Sequence, residues 1–193
     1  MTRKQQQVMA ICQNLFEEYG YDFKRWVKEQ IVFDGLKLDE LTWQQIEIAQ
    51  ELIDKKRVCV AAGGGIGKSA VAALLVIWFL GCHVNAKIPT TAPNRQLLKD
   101  VLWSEISKWV KRCRHASIYD LKTERMSIKG FREWFAVART VPKEADRIND
   151  TMAGFHAPWL LCVVDEASGV PDGVYTALEG AMTEENAFLL FIS

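Results

Sequence analysis

Lys68 and Ser69, set behind a run of glycines, and the pair Asp165–Glu166, set behind five apolar residues, are the side chains whose types and spacing point to chemistry. Residues 58–70 read VCVAAGGGIGKSA: a short β-prone run, a glycine-rich turn, then Gly67-Lys68-Ser69 and a long apolar helical stretch. This strand–loop–helix order is what a phosphate-binding loop requires. Glycines let successive backbone N–H groups wrap a polyphosphate, and the helix that follows aims its N-terminal N–H groups and dipole at the same anion. Lys68 then reaches the β- and γ-phosphates, and the Ser69 hydroxyl takes a place on Mg²⁺. The loop residues of such a site are Ala62, Gly63, Gly64, Gly65, Ile66 and Gly67, followed by Lys68, Ser69 and Ala70. Ala62 stands where the strict pattern has its first glycine, a mild change.

Downstream, Leu160-Leu161-Cys162-Val163-Val164 is an apolar run that reads as a buried parallel strand, and it ends in Asp165-Glu166. A carboxylate at the C-terminal end of a central strand suits the metal-associated Asp of a nucleotide hydrolase, and the adjacent Glu166 suits the base that orients and deprotonates the attacking water. Alone the run is a weak signal. With the glycine loop upstream, the two predict an ATP-binding protein that uses Mg²⁺.

These motifs need a scaffold. At 193 residues and 49% hydrophobic, the chain can bury a full core. Its 24 basic and 24 acidic residues cancel, so any nucleic-acid contact needs a local patch. Five cysteines, at 12, 59, 82, 113 and 162, have no paired spacing, and no C-x-x-C pattern suggests zinc. Cys59 and Cys162 sit in apolar runs and are expected to be small buried residues. The start, MTRKQQQ, has no signal-peptide core, and the longest apolar run, residues 70–82, is too short to span a bilayer, so a soluble protein is expected.

Apolar spacing predicts helices over 5–18, ended by Gly20, over 23–31, and from a Thr42 N-cap to about residue 54. A strand at 57–62 leads into the loop and a helix at 67–81. A strand at 84–91, an amphipathic helix at 94–113, short strands at 117–121, 125–129 and 133–138, and a polar loop or short helix at 143–153 follow. Strand 159–164, a helix at 172–182 and a strand at 188–192 complete the order. It predicts an α/β fold, a RecA-like P-loop domain with a mostly parallel sheet flanked by helices. Residues 1–40 form a lid-like helical segment ahead of an ATPase core at 41–193. Ending at Ser193 directly after an apolar strand, the chain reads as part of something longer.

Together these pieces resemble the N-terminal ATPase domain of the large terminase subunit of tailed bacteriophages, over about residues 41–193. Trp43-Gln44 looks like the family's adenine-recognition element, Thr91-Ala92-Pro93-Asn94 with Gln96 is similar to the segment after its second core strand, and Gly154-Phe155-His156-Ala157-Pro158 leading into VVDEAS is the most terminase-like stretch. The final LLFIS resembles the strand leading into the family's coupling motif. The resemblance implies an ATP-driven motor that moves double-stranded DNA into a procapsid in the cytoplasm of an infected or lysogenic bacterium. Its implied partners are the portal protein, the small terminase subunit and further copies of the chain in a ring. The family's nuclease domain has no counterpart in this sequence.

Two departures bear on the site. Residues 63–66 hold no basic residue, and Met152-Ala153 precede Gly154 where some terminases carry an arginine. Charge compensation of the leaving phosphate is therefore unassigned, with Arg147 and Arg139 the nearest upstream candidates. Trp43 alternatively anchors a core, and Gln44 and Gln45 alternatively sit on a helix surface. The basic run Lys108, Lys111, Arg112, Arg114 and His115 reads as a solvated face or a DNA contact. A helicase-like or other RecA-like DNA-dependent ATPase, and a P-loop module that binds nucleotide without turnover, remain alternatives.

Overall fold

The computed structural model describes residues 1–34, 40–63, 67–140, 155–182 and 185–193. Helices α1 (Arg3–Tyr19) and α2 (Phe23–Gln30) start at the side-chain caps Thr2 and Asp22. Helix α3 (Trp43–Lys55) starts at Thr42, whose hydroxyl accepts from Gln45 N while Gln45 Oε1 accepts from Thr42 N. That reciprocal pair satisfies two otherwise unpaired donors of the first turn. Strand β1 (Arg57–Val60) then runs to the glycine loop, and helix α4 (Lys68–Cys82) leaves it.

Every residue of α4 from Val71 to Cys82 is buried, as its uninterrupted apolar sequence requires. It packs against α1, α2, α3 and the sheet. The boundary expected between an N-terminal segment and the core falls by the undescribed residues 35–39, and α1 and α2 share one apolar cluster with α4 and the strands. Neighbouring side chains are tied onto this region by buried hydrogen bonds: Trp134 Nε1 donates to Leu80 O at 2.8 Å, the Tyr119 hydroxyl to Ile77 O at 3.1 Å, and Trp78 Nε1 to Tyr19 O at 2.8 Å.

Beyond α4 come β2 (Lys87–Thr91), a helical stretch α5 (95–110), the strands β3 (Tyr119–Lys122), β4 (Arg125–Ile128), β5 (Phe135–Ala138) and β6 (Leu160–Val164), helix α6 (Asp172–Ala181) and β7 (Ala187–Ile192). The middle of α5, Leu98–Trp103, is π-helical. The seven strands lie in the order β1-β7-β6-β2-β5-β4-β3. Pairing is parallel from β1 through β5 and antiparallel at the β3–β4–β5 end. This is the predicted α/β class.

Two local expectations change. Strand β2 starts at Lys87, not at residue 84, because Asn85 takes a left-handed conformation (φ 60°) and Ala86 N donates back to His83 O. Cys59 is exposed, not buried: β1 is an edge strand, paired only with β7, so one of its sides has no neighbouring strand. Cys162, in central β6, is fully buried. The loop or helix expected at 143–153 lies outside the described residues. No helix among the described residues is long and apolar enough to cross a membrane.

Candidate nucleotide-binding site

The chemistry gathers at the C-terminal ends of the parallel strands. Although β1 and β2 follow each other around α4, β7 and β6 are inserted between them. Val60 is level with Ile192 and Phe191 with Val164, so the end of β1 and the Asp165 that follows β6 stand at one height, two strands apart. At the usual strand spacing that is about 10 Å. A gap of this width at the open end of a parallel sheet, where strand order departs from chain order, is where α/β folds take ligands.

The two sides of the gap are laced together. Ser193 N donates to Val60 O at 2.9 Å, Ala62 N donates to Ser193 O at 3.2 Å, and Ser168 N donates to Ser193 Oγ at 3.3 Å. On the far side, Asp165 N donates to Thr91 O at 2.9 Å, Thr91 Oγ1 to Arg139 O at 2.7 Å, and Arg139 N to Thr90 O at 2.8 Å. A continuous hydrogen-bonded rim thus runs from the glycine loop to Arg139.

Gly67 enters α4 with φ 78°, a left-handed value that glycine adopts without a steric cost. A Cβ there would also run into the side-chain nitrogen of Gln45. Gln45, 5% exposed, donates from Nε2 to Gly67 O at 3.1 Å, so one amide both caps α3 and holds the loop's exit. Of the two glutamines considered on a helix surface, Gln45 is therefore buried against the loop. Gln44 is half-buried and Trp43 is 69% exposed at the start of the same helix. Thr42-x-x-Gln45 has the spacing of a capping box, a signal that ties Gln45 to the Thr42 cap but not to Gly67.

Lys68 Nζ donates to Ala62 O and, at 3.4 Å, to Gly63 O, so its ammonium lies against the start of the loop. Ser69 and Ala70 follow in the first turn of α4, half-buried. Gly64, Gly65 and Ile66 lie outside the described residues, as does Arg147. Arg139 is described: its guanidinium stacks 5.3 Å from the Phe155 ring centroid.

Asp165 and Glu166 are adjacent in sequence but opposite in environment. Asp165 is 2% exposed, and Glu166 faces solvent with φ 50° and ψ 46°, a left-handed backbone that costs a non-glycine residue energy. Burial first and the Glu166 charge second push the Asp165 carboxyl up to about 6. The Glu166 N–H, 3.2 Å from Oδ1, and the Lys68 charge act the other way. Environments this different give two carboxylates different tasks.

Among the described residues no cluster of three or more His, Cys, Asp or Glu could enclose a metal. One buried carboxylate, one helix-start hydroxyl and a cationic loop are instead the donor set that fits Mg²⁺ carried on a polyphosphate, because Mg²⁺ keeps several non-protein oxygens.

Topology and the strand–loop–helix order together define a RecA-like P-loop fold. No family model matches the chain. It is 31% identical over 182 residues to the probable large terminase subunit of Enterobacteria phage P7, a match covering 91% of this chain. The chain spans 35% of that relative's length. The large terminase of bacteriophage HK97 superposes with a TM-score of 0.67 at 17% identity, over 91% of this chain and 37% of that one. The large terminase of a thermophilic bacteriophage, solved in complex with ADP, gives 0.57 at 15% over 79% and 38%. The ATPase domain of a Thermus phage large terminase gives 0.55 at 18% over 82% and 65%. The chain carries the ATPase-domain fold of the phage large terminases and is related in sequence to a member of that family.

Proposed function

We propose that this chain is the ATP-hydrolysing motor region of a phage DNA-packaging terminase, coupling Mg-ATP hydrolysis to movement of double-stranded DNA into a procapsid. The observation that carries the reading is the level placement of the Lys68 loop and Asp165–Glu166 across the end of β7. The terminase relatives support this reading over the helicase-like alternative.

In this reading the loop amides from Ala62 to Gly67 and the N-terminus of α4, with Ala70 in its first turn, hold the phosphates. Lys68 swings from the Ala62 and Gly63 carbonyls to the β- and γ-phosphate oxygens. Ser69 and Asp165 would hold the metal, which would supply positive charge to offset the charge that develops on the phosphates. Glu166, solvent-facing and free of the metal, orients a water in line with the γ-phosphorus and takes its proton. Trp43 and Gln44 form the adenine side, with Gln44 pairing to the base edge. Gln45 keeps α3 and the loop in register. Charge on the leaving phosphate is met by Arg147, by Arg139, or by an arginine of a neighbouring copy in a ring on the portal. The remaining partners are double-stranded DNA and the small terminase subunit, in the host cytoplasm, and residues 1–40 serve as a lid-like cover.

The test is Lys68→Ala, assayed for nucleotide binding and for turnover side by side. The reading requires turnover to vanish and binding to weaken, since Lys68 is the one side-chain cation of the 62–70 sequence. Unchanged hydrolysis would refute the loop assignment. Nucleotide binding by the parent chain without any turnover, alone or in assembled form, would leave a binding module.

A further inference from the structure

The basic run at 108–115 does not form one solvated face. Lys108 pairs with Glu105 at 3.2 Å and lies over the Trp109 ring. Arg112 donates to Val32 O and Asp34 O, Arg114 to Glu29 O, and His115 Nδ1 meets Gln30 Oε1 at 2.7 Å. Those three fasten the end of α5 to the N-terminal helices. Lys111 alone turns elsewhere, into a 710 Å³ groove between α5 and the turn joining β3 to β4.

Lys99 from α5, Lys111 just past its end and Lys122 from the end of β3 line this groove, with the hydroxyls of Ser104, Ser107 and Thr123 between them. All three lysines are exposed, and among the described residues none forms an ion pair. The one acid in the lining, Asp100, is bound by the Gln96 amide. The groove continues past Lys99 and Thr123 into a second one, where Arg95 is held by Glu124 in a two-point pair at 2.8 and 2.9 Å. In a chain of zero net charge, this concave surface has a local cationic excess and hydrogen-bond donors, the complement of a phosphodiester backbone.

The groove's floor is joined to the C-terminal end of β2 by buried hydrogen bonds. Trp103, at the end of the π-helical turn, is buried and donates from Nε1 to Thr90 Oγ1 at 2.9 Å, and that hydroxyl donates to Val137 O at 3.2 Å. The next residue, Thr91, receives the Asp165 N–H. A π turn inside an α-helix commonly marks a functional position, and here it brings Lys99 and the groove's floor together. We propose that this groove takes the phosphate backbone of double-stranded DNA, an assignment of duplex DNA that rests on the packaging reading above.

The experiment is anisotropy of a labelled DNA duplex with the 193-residue chain across a salt series. It compares the parent, a groove variant carrying Lys99→Glu, Lys111→Glu and Lys122→Glu, and a control of equal charge carrying Lys4→Glu, Lys24→Glu and Lys28→Glu. Circular dichroism checks that each folds, and Lys122→Glu alone, on the exposed turn, replaces the triple variant if that one does not. The groove variant should lose about tenfold or more in affinity, and its log K against log salt slope should flatten by about 0.9 for each phosphate contact removed. The control should match the parent. No binding by the parent, equal losses in both variants, or displacement of the duplex by polyglutamate at matched charge would each overturn the proposal. Nucleotide binding is measured in parallel: if it is absent while lysine-dependent duplex binding persists, the hydrolase reading fails and the groove stands.

Discussion

Among the described residues, a buried Asp165 stands where the strands finish and a buried His83 where they begin, and the two burials differ in what surrounds them. His83, 1% exposed, follows α4 and sits among Phe16, Trp78, Phe79 and Trp159, with ring centroids 4.3–5.6 Å away. Its Nδ1 is 3.1 Å from Phe79 O. Burial, the dominant cause, holds its pKa down at about 4. The neutral imidazole is one more ring in an aromatic cluster. Asp165 is as deeply buried, yet the charges acting on it are Lys68 and another carboxylate, Glu166, which sits on a left-handed backbone. A fold gains nothing from placing those two carboxylates together. The helix that joins the ends, α4, connects a region arranged for packing to one arranged for a ligand, which teaches that burial by itself does not distinguish a structural from a functional ionisable group. What surrounds it does.

The contrast breaks most visibly at Glu166. Glu166→Gln should slow hydrolysis by roughly 10²- to 10⁴-fold, the range of a lost general base, while leaving nucleotide binding and thermal stability close to the parent. Single-turnover hydrolysis beside a melting curve checks this. A parental rate would place the base elsewhere.

At the opposite end the effect is on stability and depends on pH. Unfolded histidine takes up a proton near 6.5, but folded His83 does so only near 4. The unfolded state therefore binds the proton first, so stability from this site is complete above about 6.5 and falls as the pH drops towards 4. The gap corresponds to about 3 kcal/mol. Urea melts of the parent and of His83→Gln across that range should converge by this amount as the pH falls, with nucleotide affinity at neutral pH unaffected. Parallel curves would show that His83 is not held neutral.

A smaller effect sharpens the boundary between packing and ligand binding within one helix. Gln45→Ala removes the amide shared by Thr42 and Gly67 and should cost about 1 kcal/mol of stability. Gln44→Ala should leave stability alone and reduce discrimination of ATP from GTP. Melting curves and competition between the two nucleotides separate the residues, and the reverse pattern would exchange their roles.

Most of the architecture was legible because its signals are local. The glycine loop, the uninterrupted apolar run of α4 and the five-residue strand before Asp165 each demand one environment. The Thr42 cap is equally readable, but the contact of Gln45 with the loop is not, because its partner, Gly67 O, is 22 residues away. Cys59 misled because an apolar strand reads the same at an edge as at the centre, and strand order is not written in the strand. The division of the basic run between tethers and groove depends on partners distant in sequence, such as Val32, Glu29 and Gln30, which helical spacing does not show.

The central claim, that Asp165 is buried for a metal-bound nucleotide and not for packing, is tested most directly by titration calorimetry of ATP with and without Mg²⁺ in the parent chain and in Asp165→Asn. The account predicts that Mg²⁺ strengthens ATP binding markedly in the parent, and that Asp165→Asn folds normally but loses this strengthening. Equal Mg²⁺ dependence in both proteins, or an Asp165→Asn chain that unfolds while the parent shows no response to Mg²⁺, would contradict it.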